Sequence, residues 1–219
     1  MKAFGFDSEK CWDYENGFFL TSQTSRIAKL IAHYEIYKMI NEISGDIFEF
    51  GVFKGASFIR FATFRELFEK SLNRKLFGFD AFGEFPKNGN YEDVNYATHF
   101  ENVSGTGICK SALEKFLELK GINNFTLVKG DILKTLPAFL EKNDLTQIAL
   151  LHIDTDIYKP TKCILESCYH RVVKGGVIVL DDYQTVSGET KAVDEFFSDK
   201  EVQIKKFPFS KIPSYIIKQ

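Results

Sequence analysis

The strongest evidence for the fold is the stretch at residues 147–156, which reads QIALLHIDTD. Its first seven residues are almost all apolar, which is typical of a strand buried on both faces in the parallel sheet of an α/β protein. Asp154 and Asp156 follow directly after this strand. Ligands of open α/β sheets bind at the carboxyl ends of the strands. The stretch therefore predicts a central strand that brings two carboxylates to a ligand site.

Similar apolar segments alternate with amphipathic helices along the rest of the chain. The remaining predicted strands cover residues 47–50, 75–80, 125–129, 177–180, 202–207 and 214–217. The last two have no helix between them, which indicates an antiparallel pair. No linker rich in Pro, Gly or Ser divides the chain. The pattern predicts one α/β domain with a doubly wound, Rossmann-like sheet of seven strands, mostly parallel and ending in an antiparallel pair.

The composition is that of a globular domain and argues against nucleic acid or a membrane as a partner. The chain has 219 residues, 44% of them hydrophobic and 26% charged, and a formal net charge of −2. Such a balanced charge gives no field to attract nucleic acid or an anionic membrane. We also find no apolar run long enough for a signal peptide or a membrane-spanning helix. The four cysteines form no Cys-x-x-Cys pair, so we expect reduced thiols and a cytoplasmic location.

Two segments depart from the strand–helix alternation. Residues 1–24 are aromatic and polar without a period, and we interpret them as an N-terminal arm before a domain at 25–219. The aromatic arm suits contact with a second subunit, so a homodimer is one expectation. Residues 81–109 are rich in glycine and asparagine and follow the end of a strand. A connection of this length is usually functional, and we predict a substrate loop or lid.

Acidic residues lie at the ends of all five strands predicted to be parallel. They are Glu49, Asp80, Asp131, Asp154, Asp156, Asp181 and Asp182. Because parallel strands end along one edge of a sheet, these carboxylates should meet in one crevice. One aspartate at such a position is often only a helix cap, but capping does not explain five strands in succession. Carboxylates bind hard divalent cations and accept hydrogen bonds from hydroxyl groups, so the crevice suits both Mg²⁺ and a polyhydroxylated ligand.

The turn after the first of these strands limits the choice of ligand. Residues 49–57 read EFGVFKGAS, with Gly-x-x-x-Gly spacing. Sites for a pyrophosphate use Gly-x-Gly-x-x-Gly, and phosphate-gripping loops require Gly-Lys-Ser/Thr, which is absent here. We therefore expect a nucleoside that is not held through phosphates. S-adenosylmethionine (SAM) fits, because it combines adenine, a ribose diol and an amino-acid tail without a phosphate.

These motifs together resemble the class I SAM-dependent methyltransferases, and more narrowly the macrocin O-methyltransferase family. The narrower resemblance lies in LHIDTDIYKPT at residues 151–161 and GGVIVLDDY at residues 175–183. It extends over about residues 20–219. Members of that family methylate sugar hydroxyls with Mg²⁺. The resemblance implies a Mg²⁺-dependent O-methyltransferase whose acceptor is a nucleotide-linked, polysaccharide or natural-product sugar.

The resemblance also implies roles for individual residues. The residues expected to bind SAM are Glu49, Gly51, Gly55 and Ser57 at the methionine end, Asp80 at the ribose hydroxyls and Asp131 near the adenine. The implied metal ligands are Asp154, Asp181 and Asp182. Asp154 or Asp156 would take the proton from the acceptor hydroxyl, and the choice between them stays open. We interpret His152, inside the strand, as a packed core histidine.

Two other functions are compatible with parts of the sequence. An Asp-x-Asp motif after an apolar strand is also found in metal-dependent glycosyltransferases, but that function leaves the turn at residues 49–57 and the pair Asp181-Asp182 unexplained. A Rossmann-like domain that binds a nucleoside without catalysis is the second alternative. Binding of SAM would separate a methyltransferase from a glycosyltransferase, and turnover of a hydroxylated acceptor would separate an enzyme from a sensor.

Overall fold

The computed structural model describes residues 2–3, 5–69, 74–86 and 91–219. Its strands are β1 (Lys2–Ala3), β2 (Phe6–Asp7), β3 (Asp46–Phe50), β4 (Leu76–Asp80), β5 (Phe125–Lys129), β6 (Ile148–Ile153), β7 (Val172–Leu180), β8 (Lys205–Lys206) and β9 (Ser214–Ile217). Its helices are α1 (Cys11–Thr21), α2 (Thr24–Ile40), α3 (Ala56–Phe68), α4 (Tyr91–Ser104), α5 (Lys110–Leu119), α6 (Ile132–Lys142), α7 (Tyr158–Cys168) and α8 (Ser187–Phe197). In these described ranges, no helix combines the length and the apolar character that crossing a membrane requires.

Strands β3 to β9 form one sheet in the order β5-β4-β3-β6-β7-β9-β8. The pairs among β3 to β7 are parallel, whereas β9 runs antiparallel to both β7 and β8. The predicted fold class is thereby confirmed. The strand order reverses between β3 and β6, and such a switch point opens a crevice at the carboxyl ends of the two strands. The paired residues Phe50 and Ile153 end these strands side by side, which places Gly51 against Asp154.

Apolar layers cover both faces of the sheet, and both of them contain phenylalanines. The chain has 23 Phe. Phe48 packs on Phe77 with ring centroids 4.8 Å apart, and Phe50 stacks on Phe79 at 4.6 Å. Phe139 of α6 closes over this group. Because side chains alternate along a strand, the neighbouring positions point to the opposite face, which is covered by α2 and α3.

Strand β7 begins five residues earlier than predicted, because a glycine pair that looked like a helix stop lies inside it. Pairing with β6 shifts register between Ile148 and Leu150, so β7 carries extra residues there. Gly175 has φ +80°, and a β-carbon on Gly176 would lie 3.0 Å from the carbonyl oxygen of Ala149. The two glycines therefore form a bulge that only residues without a β-carbon fit.

The two segments that lacked a clear period contain helices. The second half of the N-terminal arm contains α1, which leaves Trp12, Phe19 and Leu20 exposed. The segment 81–109, predicted as a substrate loop or lid, contains α4; its residues 87–90 lie outside the described residues. The C-terminal end of α4 is fixed to the turn after β3, because the Lys54 ammonium donates to the carbonyl of Ser104 at 2.6 Å.

Candidate active site

A cavity of about 510 Å³ opens at the carboxyl ends of the central strands. The residues predicted from the sequence that line it are Gly51, Ser57, Asp80, Asp131, Asp154, Asp156, Asp181 and Asp182. Glu49 and Gly55, also predicted, are buried and are not among the lining residues. Side chains from α4 complete the wall on one side, among them Tyr96 and Phe100. The crevice expected at the switch point therefore exists and collects most of the predicted residues.

The glycine turn after β3 is shaped by two close approaches. Gly51 has φ +86°, and a β-carbon there would lie 1.7 Å from the carbonyl oxygen of Asp154. Gly55 has φ +83° and precedes α3, with Leu113 Cδ1 2.9 Å from the position of a β-carbon. Left-handed backbone is accessible to glycine at little cost. Both glycines are therefore required by the turn itself, whatever it binds.

Glu49 is fully buried under this turn. Its Oε1 accepts a 2.7 Å hydrogen bond from the hydroxyl of Ser57, the second residue of α3. Strand alternation directs Glu49 to the face of the sheet that α2 and α3 cover. It therefore supports the turn from below, and its contact with the methionine end of SAM stays a prediction.

Asp80 holds the same turn from β4. Its Oδ2 accepts from the backbone N–H groups of Val52 at 2.8 Å and Phe53 at 2.9 Å, and its Oδ1 accepts from Phe82 at 2.5 Å. Burial raises the pKa of Asp80, although the three donors oppose this shift. A carboxylate offers about four acceptor positions, so one is left for a ligand hydroxyl.

Asp131 has the position of a helix cap. Its carboxylate accepts from the N–H of Leu133 at 3.0 Å and begins α6. It also lines the cavity. Both interpretations of a strand-end aspartate therefore apply to this residue, and its place near the adenine stays a prediction.

Three carboxylates converge in the cavity: Asp154, Asp156 and Asp182, each with an oxygen within 4.8 Å of the other two. Burial, followed by the charge of Asp182, raises the pKa of Asp156 to about 8. Burial and the charge of Asp181 hold the pKa of Asp154 well above its usual range. Neighbouring carboxylates repel one another, which disfavours their simultaneous ionisation. A divalent cation bound between them would neutralise this repulsion. This oxygen-only group, which we call the acidic triad, fits Mg²⁺.

Asp181 lies beside the acidic triad but has a different environment. The resemblance grouped it with Asp154 and Asp182 as a metal ligand, whereas the structure pairs its Oδ2 with the ammonium of Lys29. The Nε2 of His152 is 3.4 Å from its Oδ1. Although burial opposes ionisation, Lys29 and His152 hold the pKa of Asp181 well below its usual range. Asp156 occupies the place in the triad expected for Asp181, whose ligand role stays a prediction.

His152 lies in the core as predicted, but both of its ring nitrogens face carboxylates. Nε2 faces Asp181, and Nδ1 is 3.5 Å from Oε2 of Glu49. Although burial favours the neutral ring, the nearby carboxylates of Asp181 and Glu49 raise the pKa of His152 to about 10. No pattern in the sequence distinguishes this residue from an ordinary packed histidine.

Helices α2 and α8 supply polar residues that the sequence did not identify. Lys29 of α2 is 3.9 Å from Oδ2 of Asp154, so it lies between two strand ends. Glu189 of α8 is fully buried and accepts a 3.0 Å hydrogen bond from the backbone N–H of Asp182. Burial and the charge of Asp182 hold the pKa of Glu189 well above its usual range. These helix positions carry no local signal, because only the tertiary fold brings them to the sheet edge.

The backbone of Asp156 is in an unusual conformation, with φ +62°. An aspartate in the left-handed region costs on the order of 1–3 kcal/mol, and such strain clusters at functional sites. Two contacts hold it there. The hydroxyl of Tyr96 donates to Oδ1 of Asp156 at 2.8 Å, and the N–H of Glu189 donates to its carbonyl at 3.0 Å. Asp156 is therefore fixed between α4 and α8.

This fold with this site is that of a class I SAM-dependent methyltransferase. The family model of the macrocin O-methyltransferases (TylF) matches residues 22–213. The chain belongs to that family and is an O-methyltransferase, which confirms the resemblance seen in its sequence.

Solved structures with the same fold include two other methyltransferases. The calicheamicin methyltransferase CalS11 is 24% identical, with a TM-score of 0.72 over 97% of this chain and 86% of that one. Its apo structure is described as a TDP-rhamnose 3′-O-methyltransferase. The O-methyltransferase NovP is 21% identical, with a TM-score of 0.75 over 87% of this chain and 79% of that one. A search of curated proteins finds no match.

Proposed function

We propose that this protein transfers the methyl group of SAM to a hydroxyl of a sugar with the help of Mg²⁺. The observation that carries the proposal is the acidic triad, placed in the same cavity as the glycine turn after β3. The family methylates hydroxyl groups, and an oxygen-only cluster suits a hard cation. Neither a glycosyltransferase nor a nucleoside sensor requires both features side by side.

SAM would lie along the turn and the strand ends next to it. Gly51 and Ser57 line the cavity where the methionine part would lie, and Ser57 is two residues after the Gly55 cap of α3. The free acceptor position of Asp80 would take a ribose hydroxyl, and Asp131 would lie near the adenine. These four residues form one wall, so the sulfonium would face the acidic triad.

The triad would prepare the acceptor. Asp154, Asp156 and Asp182 would hold Mg²⁺, with Asp181 as the additional ligand that the family pattern implies. When bound, Mg²⁺ lowers the pKa of a hydroxyl oxygen and fixes its orientation. The alcohol oxygen would attack the methyl carbon of SAM, for which in-line approach from about 3–3.5 Å is required. A C–O bond forms as the C–S bond breaks, and S-adenosylhomocysteine (SAH) leaves.

The acceptor proton needs a base within reach. Asp154 and Asp156 both line the cavity. With its pKa raised to about 8, Asp156 carries a proton at neutral pH unless a cation neutralises the acidic triad, so it could act as the base only with the cation bound. Its bond to Tyr96 fixes one oxygen, which leaves the other toward the triad. Asp154 would then serve mainly as a ligand of Mg²⁺.

The acceptor would enter beside α4, in the segment predicted as a lid. Phe100 of α4 packs on Phe53 of the glycine turn with ring centroids 5.1 Å apart, and Tyr96 reaches Asp156. Aromatic walls suit the apolar faces of a sugar ring. Nucleotide-linked, polysaccharide and natural-product sugars are all retained as acceptor classes.

The test is a transfer assay with labelled SAM. The purified protein is incubated with methyl-labelled SAM and a panel of sugars and sugar nucleotides, with Mg²⁺ or with EDTA. We expect label in a sugar ether, release of SAH, and recovery of activity when Mg²⁺ is added back. Turnover that EDTA leaves unchanged would remove the metal from the proposal. Failure to bind SAM, together with hydrolysis of a sugar nucleotide, would favour the glycosyltransferase.

A cytoplasmic location and a homodimer are part of the same proposal. The exposed side chains of Trp12, Phe19 and Leu20 on α1 would supply the subunit contact. Light scattering on the wild type and on Phe19→Ser tests this. A monomeric mass in both samples would contradict the proposed homodimer.

A further inference from the structure

A series of neighbouring polar side chains runs beneath the cavity from the glycine turn to the acidic triad. The hydroxyl of Ser57 bonds to Glu49, whose other oxygen is 3.5 Å from Nδ1 of His152. Nε2 of His152 is 3.4 Å from Asp181, and Asp181 pairs with Lys29. The series joins the residues expected under the methionine end of SAM to those beside the metal position.

The position of His152 follows from the sheet. It pairs with Glu49 on β3 and with Val179 on β7, and alternation directs Asp181, two residues after Val179, to the same face. The ring of Phe61 packs on the imidazole with centroids 5.4 Å apart. His152 is fully buried, its ring lies edge-on to that of His33 with centroids 5.4 Å apart, and its two nitrogens face the carboxylates of Glu49 and Asp181.

The contacts on both sides of the imidazole are loose. Charge-assisted hydrogen bonds are normally about 2.7–2.9 Å long, whereas these separations are 3.5 and 3.4 Å. Oε2 of Glu49 and Nδ1 of His152 have no hydrogen-bond partner at this spacing. A ligand that moves the carboxylate of Glu49 or Asp181 closer to His152 would therefore also order the imidazole.

We propose that His152 is a positioning residue that couples the binding of SAM to the binding of the divalent cation. The inference rests on the proposed function. A ligand at the turn would order Glu49 through Ser57, which lines the cavity and donates a hydrogen bond to it, and a cation at the triad would order Asp181 through its neighbours Asp154 and Asp182. When one ligand is already bound, the imidazole and its carboxylates are partly ordered. The second ligand then loses less conformational entropy on binding, which gives positive cooperativity. Thermodynamic linkage requires the effect to be reciprocal.

The experiment measures the affinity of SAH with and without Mg²⁺, and of Mg²⁺ with and without SAH, by calorimetry. For the wild type we expect each ligand to tighten the other about fivefold or more, by the same factor in both directions. His152→Leu should bring that factor close to one. His152→Gln, whose amide can donate a hydrogen bond to one of the two carboxylates, should show a coupling factor between one and the wild-type value.

Leu151→Ala is the matched control. Leu151 is the neighbouring residue of β6, equally buried, but it points to the other face of the sheet. Its truncation should lower the melting temperature and leave the coupling factor at the wild-type value. If His152→Leu does not fold, His152→Gln carries the test.

The outcomes separate the inference from the proposed function. Wild-type protein that binds SAH and Mg²⁺ without mutual influence overturns the inference, and so does a wild-type factor in His152→Leu and His152→Gln. Wild-type protein that binds neither ligand overturns the proposed function instead.

Discussion

A β-carbon on Gly51 would lie 1.7 Å from the carbonyl oxygen of Asp154. The turn after β3 and the end of β6 therefore touch backbone to backbone. One wall of the cavity is shared by the predicted SAM site and by the acidic triad, so a change at the turn is expected to disturb both.

Gly51→Ala is expected to abolish SAH binding and to destabilise the fold. The new methyl group would push the end of β6 away, and alanine is strained at φ +86°. Calorimetry with SAH and urea unfolding measure both effects. Gly83→Ala is the matched control, because Gly83 also lines the cavity but has nothing within 4 Å of its β-carbon position. Normal SAH affinity in Gly51→Ala would contradict the proposed role of the turn.

Asp154→Asn should lower methyl transfer by about 10²-fold or more and weaken Mg²⁺ binding. The change removes one negative charge from the acidic triad, and loss of a group that prepares the acceptor hydroxyl has an effect of this order. Initial rates over a range of Mg²⁺ concentrations measure it. Asp144→Asn, at an exposed position that does not line the cavity, should behave as the wild type. Full activity with ordinary Mg²⁺ dependence in Asp154→Asn would exclude this role.

Tyr96→Phe should raise KM for the acceptor severalfold and leave SAH affinity unchanged. The variant keeps the ring that stacks on Phe100 but loses the hydroxyl that bonds to Asp156. Asp156 would then lose the contact that α4 gives it. Steady-state kinetics with the acceptor varied, together with calorimetry for SAH, test this. An unchanged KM would show that the bond has no part in acceptor binding.

Cys168 should make stability depend on alkaline pH. Burial raises the pKa of its thiol from 9.0 to about 12. Because the folded pKa exceeds the unfolded one, the stabilisation is complete below pH 9 and is lost as pH rises from 9 toward 12. Between pH 8 and 10.5 the wild type should lose about 2 kcal/mol more than Cys168→Ala. Urea unfolding in reductant measures this difference, and parallel pH profiles would refute it.

The sheet and its strand-end carboxylates could be predicted because both are local properties of the sequence. An apolar run such as 148–153 indicates a buried strand, and the residue after it is placed by the direction of that strand. The environment of Asp181 could not be predicted, because its counter-charge comes from Lys29, 152 residues away. The backbone conformation of Asp156 likewise depends on contacts from α4 and α8.

The glycine pair at residues 175–176 shows a different limit. Two glycines stop a helix in most contexts, but here they form a bulge inside β7. The distinction depends on the approach of Ala149 from β6, which no local pattern contains. Helix α4 was not predicted from the sequence for a similar reason. Its aromatic residues Tyr96 and Phe100 line the cavity and do not form an apolar stripe against the main core.

The exposed tryptophan of α1 gives this protein a built-in optical reporter. Trp12 is the one tryptophan in the chain, and 72% of its surface is accessible to solvent. Its fluorescence should therefore be red-shifted in a folded monomer and respond weakly when the central sheet unfolds. Core stability is better followed by circular dichroism, whereas a blue shift of the emission would report that something has covered the N-terminal helix.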